Sequence, residues 1–181
     1  MPSSDLRETN LDGADLVIAD LSESYLRGAN LRGAVLVEAN LRGAILTKAI
    51  FVEANLRGAD LSDANLSGAE LSRADLTGAN LKGAKLNNAI FAEAVLEDAD
   101  VSLANLNKSN LSGAIGNRAN LSGANLAGAH LSGAKLNSAM LGGAILSEAD
   151  LTDAEMREAN LNLANLRGAI LTQAILAGAN L

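Results

Sequence analysis

Few side chains in this sequence could carry acid–base, nucleophilic or metal chemistry, and their spacing does not bring them together. There is one histidine, His130, and no cysteine, so thiolate and disulfide chemistry are excluded and a general base has a single imidazole candidate. Its only prospective partner is Asp150, twenty residues on, which would help only if the fold stacked residues at that interval. A His and an Asp with nothing to orient them make no triad. Asp20, Asp60 and Asp100 could be read as metal ligands, but Asn40 and Asn80 fall between them. The pI near 4.7 and an aromatic content of 2% disfavour nucleic-acid binding. The residues therefore imply no enzyme, no cofactor and no metal.

What must position these residues is a five-residue word, A-[N/D]-L-x-x, clearest in the run ANLRG ADLSD ANLSG AELSR ADLTG ANLKG from Ala54 to Gly83. Every fifth residue from Leu6 to Leu181 gives 36 positions, of which 31 are Leu. The others are Phe51, Phe91, Val101, Met156 and Gly116. Two residues earlier stands Ala in 32 of 36 cases, with Ser4, Thr9, Ser24 and Ser109 as the exceptions. The residue between is Asn or Asp in 20 of 36, and 15 of the 17 Gly fall two residues after the large one. No insertion or deletion breaks the register, which marks a solenoid.

A period of five suits neither common element. On a helix, five residues advance the side chain by about 140°, which sprays Leu around the cylinder. On a straight strand an odd period alternates faces. The word instead reads as small-in, polar-out, large-in, a short extended side followed by a corner, coiled so that Ala and Leu face the axis and successive coils pair side by side.

Tandem words of this form resemble the pentapeptide-repeat family, and the resemblance extends from about Ser4 to Leu181. It implies an all-β fold, a right-handed quadrilateral parallel β-helix of about nine coils with four words each, forming a single domain over residues 1–181. At ~4.8 Å per coil the rod would be about 43 Å long. Sorting the middle residues by position modulo twenty supports four sides. One class reads Asp20, Asn40, Asp60, Asn80, Asp100, Asn120, Met140, Asn160, Asn180, eight of nine Asn or Asp, whereas the other classes hold five, four and three. The alternation of Asp and Asn suggests a ladder in which each Asn amide donates to the carboxylates above and below it.

Local departures from the word suggest the sites. Residues 1–23 form a polar, atypical first coil, with Asp5, Glu8, Asp12, Asp15, Asp20 and Glu23 against Arg7. This suits a cap or an acidic contact for a basic partner. Val17, Ile18, Val35 and Val37 would gather into an outward apolar patch near Arg27, Arg32 and Arg42 in sequence, a candidate protein-binding site. Ile45 with Ile50, Ile90 with Val95, Met140 with Ile145 and Ile170 with Ile175 are outward apolar pairs that strand propensity alone would explain. The word AIGNR puts Gly116 in the Leu slot, to be met either by a bulge that swings Ile115 inward or by a tolerated cavity.

The expected function is a non-enzymatic protein-interaction or scaffolding module with a protein partner. Some members of the family resemble B-DNA in size and charge, bind DNA gyrase and protect it from quinolones. The net charge of −7 fits such a DNA-mimicking role. However, residues 1–100 carry 16 acidic and 9 basic side chains and residues 101–181 carry 5 of each, and neither a projecting loop nor a C-terminal helix is present. At the other end, Leu166, Leu171, Leu176 and Leu181, with Ile170 and Ile175, would leave an uncovered apolar coil. That coil suits a tail-to-tail homodimer or the next coil of a longer solenoid. No apolar run crosses a bilayer and no basic-then-hydrophobic leader opens the sequence, so a cytoplasmic location is the default expectation.

Overall fold

The computed structural model describes residues 2–181. The chain winds as a right-handed quadrilateral parallel β-helix, with each five-residue word forming one side and one corner. The middle residue of every word bridges its counterparts twenty residues before and after, and all 32 bridges are parallel, from Asp5↔Tyr25 to Asn160↔Asn180. Each side is thus a single bridged residue between two inward ones. The four faces are named here by their outward residues in the second turn: Asp20, Tyr25, Asn30 and Val35.

The hydrogen bonds of the word explain its composition. In the word of Leu26, the Leu26 N–H donates to Ile45 O and the Gly28 N–H to Thr47 O in the next coil. The Asn30 N–H donates back to Thr9 O, and the Ala29 N–H closes a turn onto Leu26 O. Only the residue following the Leu has an N–H with no backbone acceptor. Where the middle residue is Asn or Asp, its Oδ1 accepts that N–H in an Asx turn, as Asn30 does from Arg32 at 3.2 Å and Asp60 from Ser62 at 3.0 Å. The bond forms in 19 of the 20 Asn or Asp words, the exception being that of Asn180, which is followed by Leu181 alone.

The third residue after each middle position from Asp5 to Ile175 has φ between +55° and +73°, at 35 corners, and Ser3 shares it to make 36. This left-handed conformation is where a side chain is penalised and Gly is not, and 15 corners use Gly. At Gly28 a Cβ would also lie 2.5 Å from Glu8 Oε1, and the flexible Glu8 side chain, which leans across it from the preceding coil, would have to swing aside.

Inside, Leu and Ala columns from Leu21 to Leu161 form one continuous buried cluster, while Leu6, Leu11 and Leu16 at one end and Leu166 and Leu176 at the other are only half-buried. The Gly116 word does not bulge. Ile115 bridges Val95 and Lys135 in regular register, the Gly116 N–H donates to Lys135 O at 2.7 Å, and Ile115 stays outward. Breaking the ladder would have stranded several backbone groups, whereas the vacancy costs only packing.

The capping carboxylates make the fold acid-sensitive. Hydrogen bonds from the Ser22 hydroxyl and N–H hold Asp20 below its usual pKa, and those from the Thr152 hydroxyl and N–H do the same for Asp150. At Asp75 partial burial raises the pKa, but the Thr77 hydroxyl and N–H and Arg57 outweigh it and lower the net value. A folded pKa below the unfolded one gives stability that is present above ~pH 4 and is lost as pH falls through the folded value. The triple variant Asp20→Asn, Asp75→Asn, Asp150→Asn keeps an Oδ1 acceptor at each corner without a titrating group. Its Tm is expected to fall less than that of the wild type between ~pH 4 and ~pH 3, and parallel Tm curves would refute this account of the caps.

Candidate functional site

The structure brings Val17, Ile18, Val35 and Val37 together at one corner. Val17 and Ile18 are its two turn residues and Val37 lies beneath Val17, where its carbonyl accepts the Ile18 N–H at 2.9 Å. Val35 lies beside them in the second coil, bridged to Asp15 and Asn55. Val17 is 45% and Ile18 69% exposed, whereas Val35 and Val37 are half-buried. Asp15 and Asp20 border the corner, but both carboxylates are already engaged as caps, Asp15 of Val17 and Asp20 of Ser22. Arg32 occupies the next corner, and Arg27 and Arg42 lie on the Tyr25 side of the rod, away from the patch.

Ile18 is the unusual member. Of the 21 non-glycine residues at left-handed corners it is the only β-branched one, at φ +56°, a genuine outlier for that side-chain type. It gains little burial in return.

The chemistry-bearing pair His130 and Asp150 stands apart from this corner. His130 bridges Asn110 and Asp150 on the Asn30 face and is exposed, with no side-chain hydrogen bond among the described residues. The Asp150 Oδ1 is occupied by the Thr152 N–H at 3.0 Å and hydroxyl at 2.6 Å. Among the described residues no group of three or more His, Asp or Glu side chains could hold a metal ion. The Asp20 column is not the continuous ladder its alternation suggests. Asn40, Asn80 and Asn120 each donate to the preceding Asp at 3.0 to 3.2 Å and not to the following one. With each Asn Oδ1 committed to a corner N–H, the amide plane can point its Nδ2 in only one direction.

Ile45, Ile90, Met140 and Ile145 are between 36% and 45% exposed and spread over three faces, so they build no common patch. At the last coil, Leu166 and Leu176 are half-buried, and Ile170, Leu171, Ile175 and Leu181 are exposed. The structure thus places all six in the coil of residues 162–181.

The interior holds a void of about 10 Å³ lined in part by Gly116. Its walls are apolar, including Phe91, Leu96, Leu111 and Leu136, so it gives a water no polar partners and a ligand too little room. Leu136 Cδ2 lies 3.1 Å from where a Gly116 Cβ would stand. Gly116→Ala, at a φ open to any residue, is expected to stabilise by about 1 kcal/mol and raise Tm by roughly 2–4 °C. Gly116→Leu, with Leu136 Cδ2 moved aside, should add more. A fall in Tm for the Ala variant would show that the site has collapsed.

Comparison with known proteins agrees with this geometry. The family model "Pentapeptide repeats" matches in eight copies across residues 3–36, 15–51, 54–92, 74–113, 117–153 and 144–181. The full-length structure of QnrB1, a plasmid-mediated fluoroquinolone resistance protein, superposes with a TM-score of 0.88 at 19% identity, covering 99% of this chain and 92% of that one. HetL, a pentapeptide repeat protein involved in heterocyst differentiation regulation in the cyanobacterium Nostoc sp. strain PCC 7120, is 36% identical over 98% of this chain and 89% of its own, with a TM-score of 0.41. Comparison with curated protein sequences yields no match. With the repeat in unbroken register and the family model covering nearly its whole length, the chain belongs to the pentapeptide-repeat family.

Proposed function

We propose that this protein is a non-enzymatic interaction module and that the Val17, Ile18, Val35, Val37 corner is one of its protein-contact sites. The observation that carries the reading is Ile18, a β-branched side chain held in a left-handed corner and 69% exposed. Folding gains nothing from it that Gly would not provide better, while an apolar anchor at a projecting corner is what a partner pocket takes up. The absence of an oriented base or nucleophile around His130 supports a role without turnover. The gyrase-directed alternative has the acidic net charge and the QnrB1-like fold behind it, but at 19% identity that likeness concerns the fold alone.

Ile18→Gly relieves the left-handed strain and is expected to stabilise by about 1 kcal/mol. Peptides selected from a random display library on the wild-type protein should lose about tenfold or more in affinity for a Val17→Ser, Ile18→Gly double variant. Stability that falls on Ile18→Gly, or peptides that bind both proteins alike, would overturn the assignment of the corner. A turnover activity abolished by His130→Ala would overturn the non-enzymatic reading.

We further propose that the 181-residue chain pairs tail to tail through its last coil, where the N–H groups of Leu166, Leu171 and Leu176 have no backbone acceptor among the described residues. A two-fold pairing of two such ends closes as a dimer. Light scattering at ~10 μM or above, well within the reach of a modest interface, should give a dimer for the wild type and a monomer for Ile175→Lys, Leu176→Glu. A monomeric wild type removes the idea.

A further inference from the structure

Sorting charged side chains by the face they occupy exposes a segregation that their order along the chain hides. The Tyr25 face, whose outward column continues through Ile45, Asn65 and Lys85, carries with its two bordering corners eight of the 14 basic side chains and five of the 21 acidic ones. That side is net +3, and the remainder of the rod is net −10. Between Tyr25 and Lys108 the side holds six basic residues and one acid, Asp63.

Pairing sharpens the contrast. On the remainder of the rod, five of the six basic side chains lie within ion-pair distance of a carboxylate, and Lys135 is the exception. On the Tyr25 side between Tyr25 and Lys108, Arg42 reaches Asp63 at 3.9 Å. The other five, Arg27, Lys48, Lys82, Lys85 and Lys108, are exposed and have no ion pair among the described residues. On the same face, next after Asp5, Tyr25, 47% exposed, bridges Ile45, 36% exposed, and Tyr25 is the only tyrosine in the chain.

We propose that the Tyr25 face docks an acidic, extended segment of a partner protein, with Tyr25 and Ile45 receiving an apolar side chain and the five unpaired cations facing its carboxylates. Arg27 and Lys108 are four coils apart, about 19 Å, the length of roughly six residues of extended chain. Spaced carboxylates on such a segment can be matched one to one by five cations, whereas a nucleic-acid duplex brings one charge per ~1.7 Å and would press its excess against the acidic sides. Four of the five are lysines, point charges suited to single carboxylates and without the bidentate fork that selects phosphate. The proposal is independent of the Ile18 corner, from which the Asp20 face separates it.

The test is fluorescence anisotropy with a labelled decapeptide of alternating Glu and Ser carrying one Phe. Binding is expected at ~50 mM salt and about tenfold weaker at ~300 mM, as for exposed charges. Lys85→Glu, Lys108→Glu should lose about tenfold or more, while Arg73→Glu, Lys135→Glu, an equal change in net charge elsewhere, should bind like the wild type. Glutamate already occupies left-handed corners such as those of Glu23 and Glu38, so Lys108→Glu preserves the backbone, and a thermal melt of each variant verifies folding. Tyr25→Ala should weaken binding without changing its salt dependence, and Val17→Ser, Ile18→Gly should leave it intact. Equal loss in the two charge-reversal variants, no binding at low salt, or tighter binding of a decameric single-stranded DNA than of the peptide would each overturn the proposal.

Discussion

The fold rests on one conformational demand met at every corner: the residue two after the Leu must take φ near +60° so that the next Ala again points inward. All 36 corners meet it, and the composition of the word follows. Glycine appears there because it alone adopts the conformation without cost. The turn this creates satisfies the Ala N–H but leaves the amide of the residue directly after the Leu with no backbone acceptor, and an Asn or Asp two residues before that residue supplies one. In two words whose middle residue is neither Asn nor Asp, a side chain of the preceding coil takes over. At Lys135 and Glu155 the free amides of Asn137 and Arg157 are accepted instead by Asn117 and Asn137 of the preceding coil.

This division of labour explains why the core is monotonous and the surface is not. Leu and Ala are fixed by the narrow interior, where each coil must match the coils on either side of it. Gly116 shows how rigid that match is. The backbone hydrogen bonds hold register across a missing side chain, with Leu136 Cδ2 close beside the empty slot. Backbone pairing outranks core filling because a stranded buried amide costs about as much as the packing it would restore, and a bulge would strand more than one.

Much of this was legible in the residues. The five-residue period, the inward Leu and Ala and the polar class at twenty-residue spacing led to parallel coils with four words each, and the family resemblance supplied the handedness. The expectation for the Asp20 column was only half right, because alternation of Asp and Asn shows which residues stack but not that each Oδ1 is already committed to a corner N–H. That commitment had its own signal, an Asn or Asp two residues before a turn position, in every face and not only the polar one. Ile18 read as part of an apolar patch, but its strain was invisible because the sequence does not display φ. The cationic face escaped for a different reason. Counting charge along the chain mixes all four faces in each coil, so Arg27, Lys48 and Lys108 disappear among acids that in space lie on other sides.

A solenoid of this kind separates the code for shape from the code for recognition. Inward positions repeat with the word, so they cannot distinguish one region of the rod from another. Outward positions are free within the limits of strand and corner conformation, and each has a fixed address given by its coil and its face. Long-range arrangement therefore needs no loops or insertions: Lys85 and Lys108, 23 residues apart, fall on one side because coils stack every twenty residues. Specific surfaces on such a protein should accordingly be sought as columns rather than as motifs. They stand out where an outward residue violates the local rule for its position, as Ile18 does for conformation and as the unpaired lysines of the Tyr25 side do for charge. A rule broken at an exposed position, with no gain in the core to offset it, is more informative here than any conserved-looking repeat, since the repeat itself is accounted for by the corner.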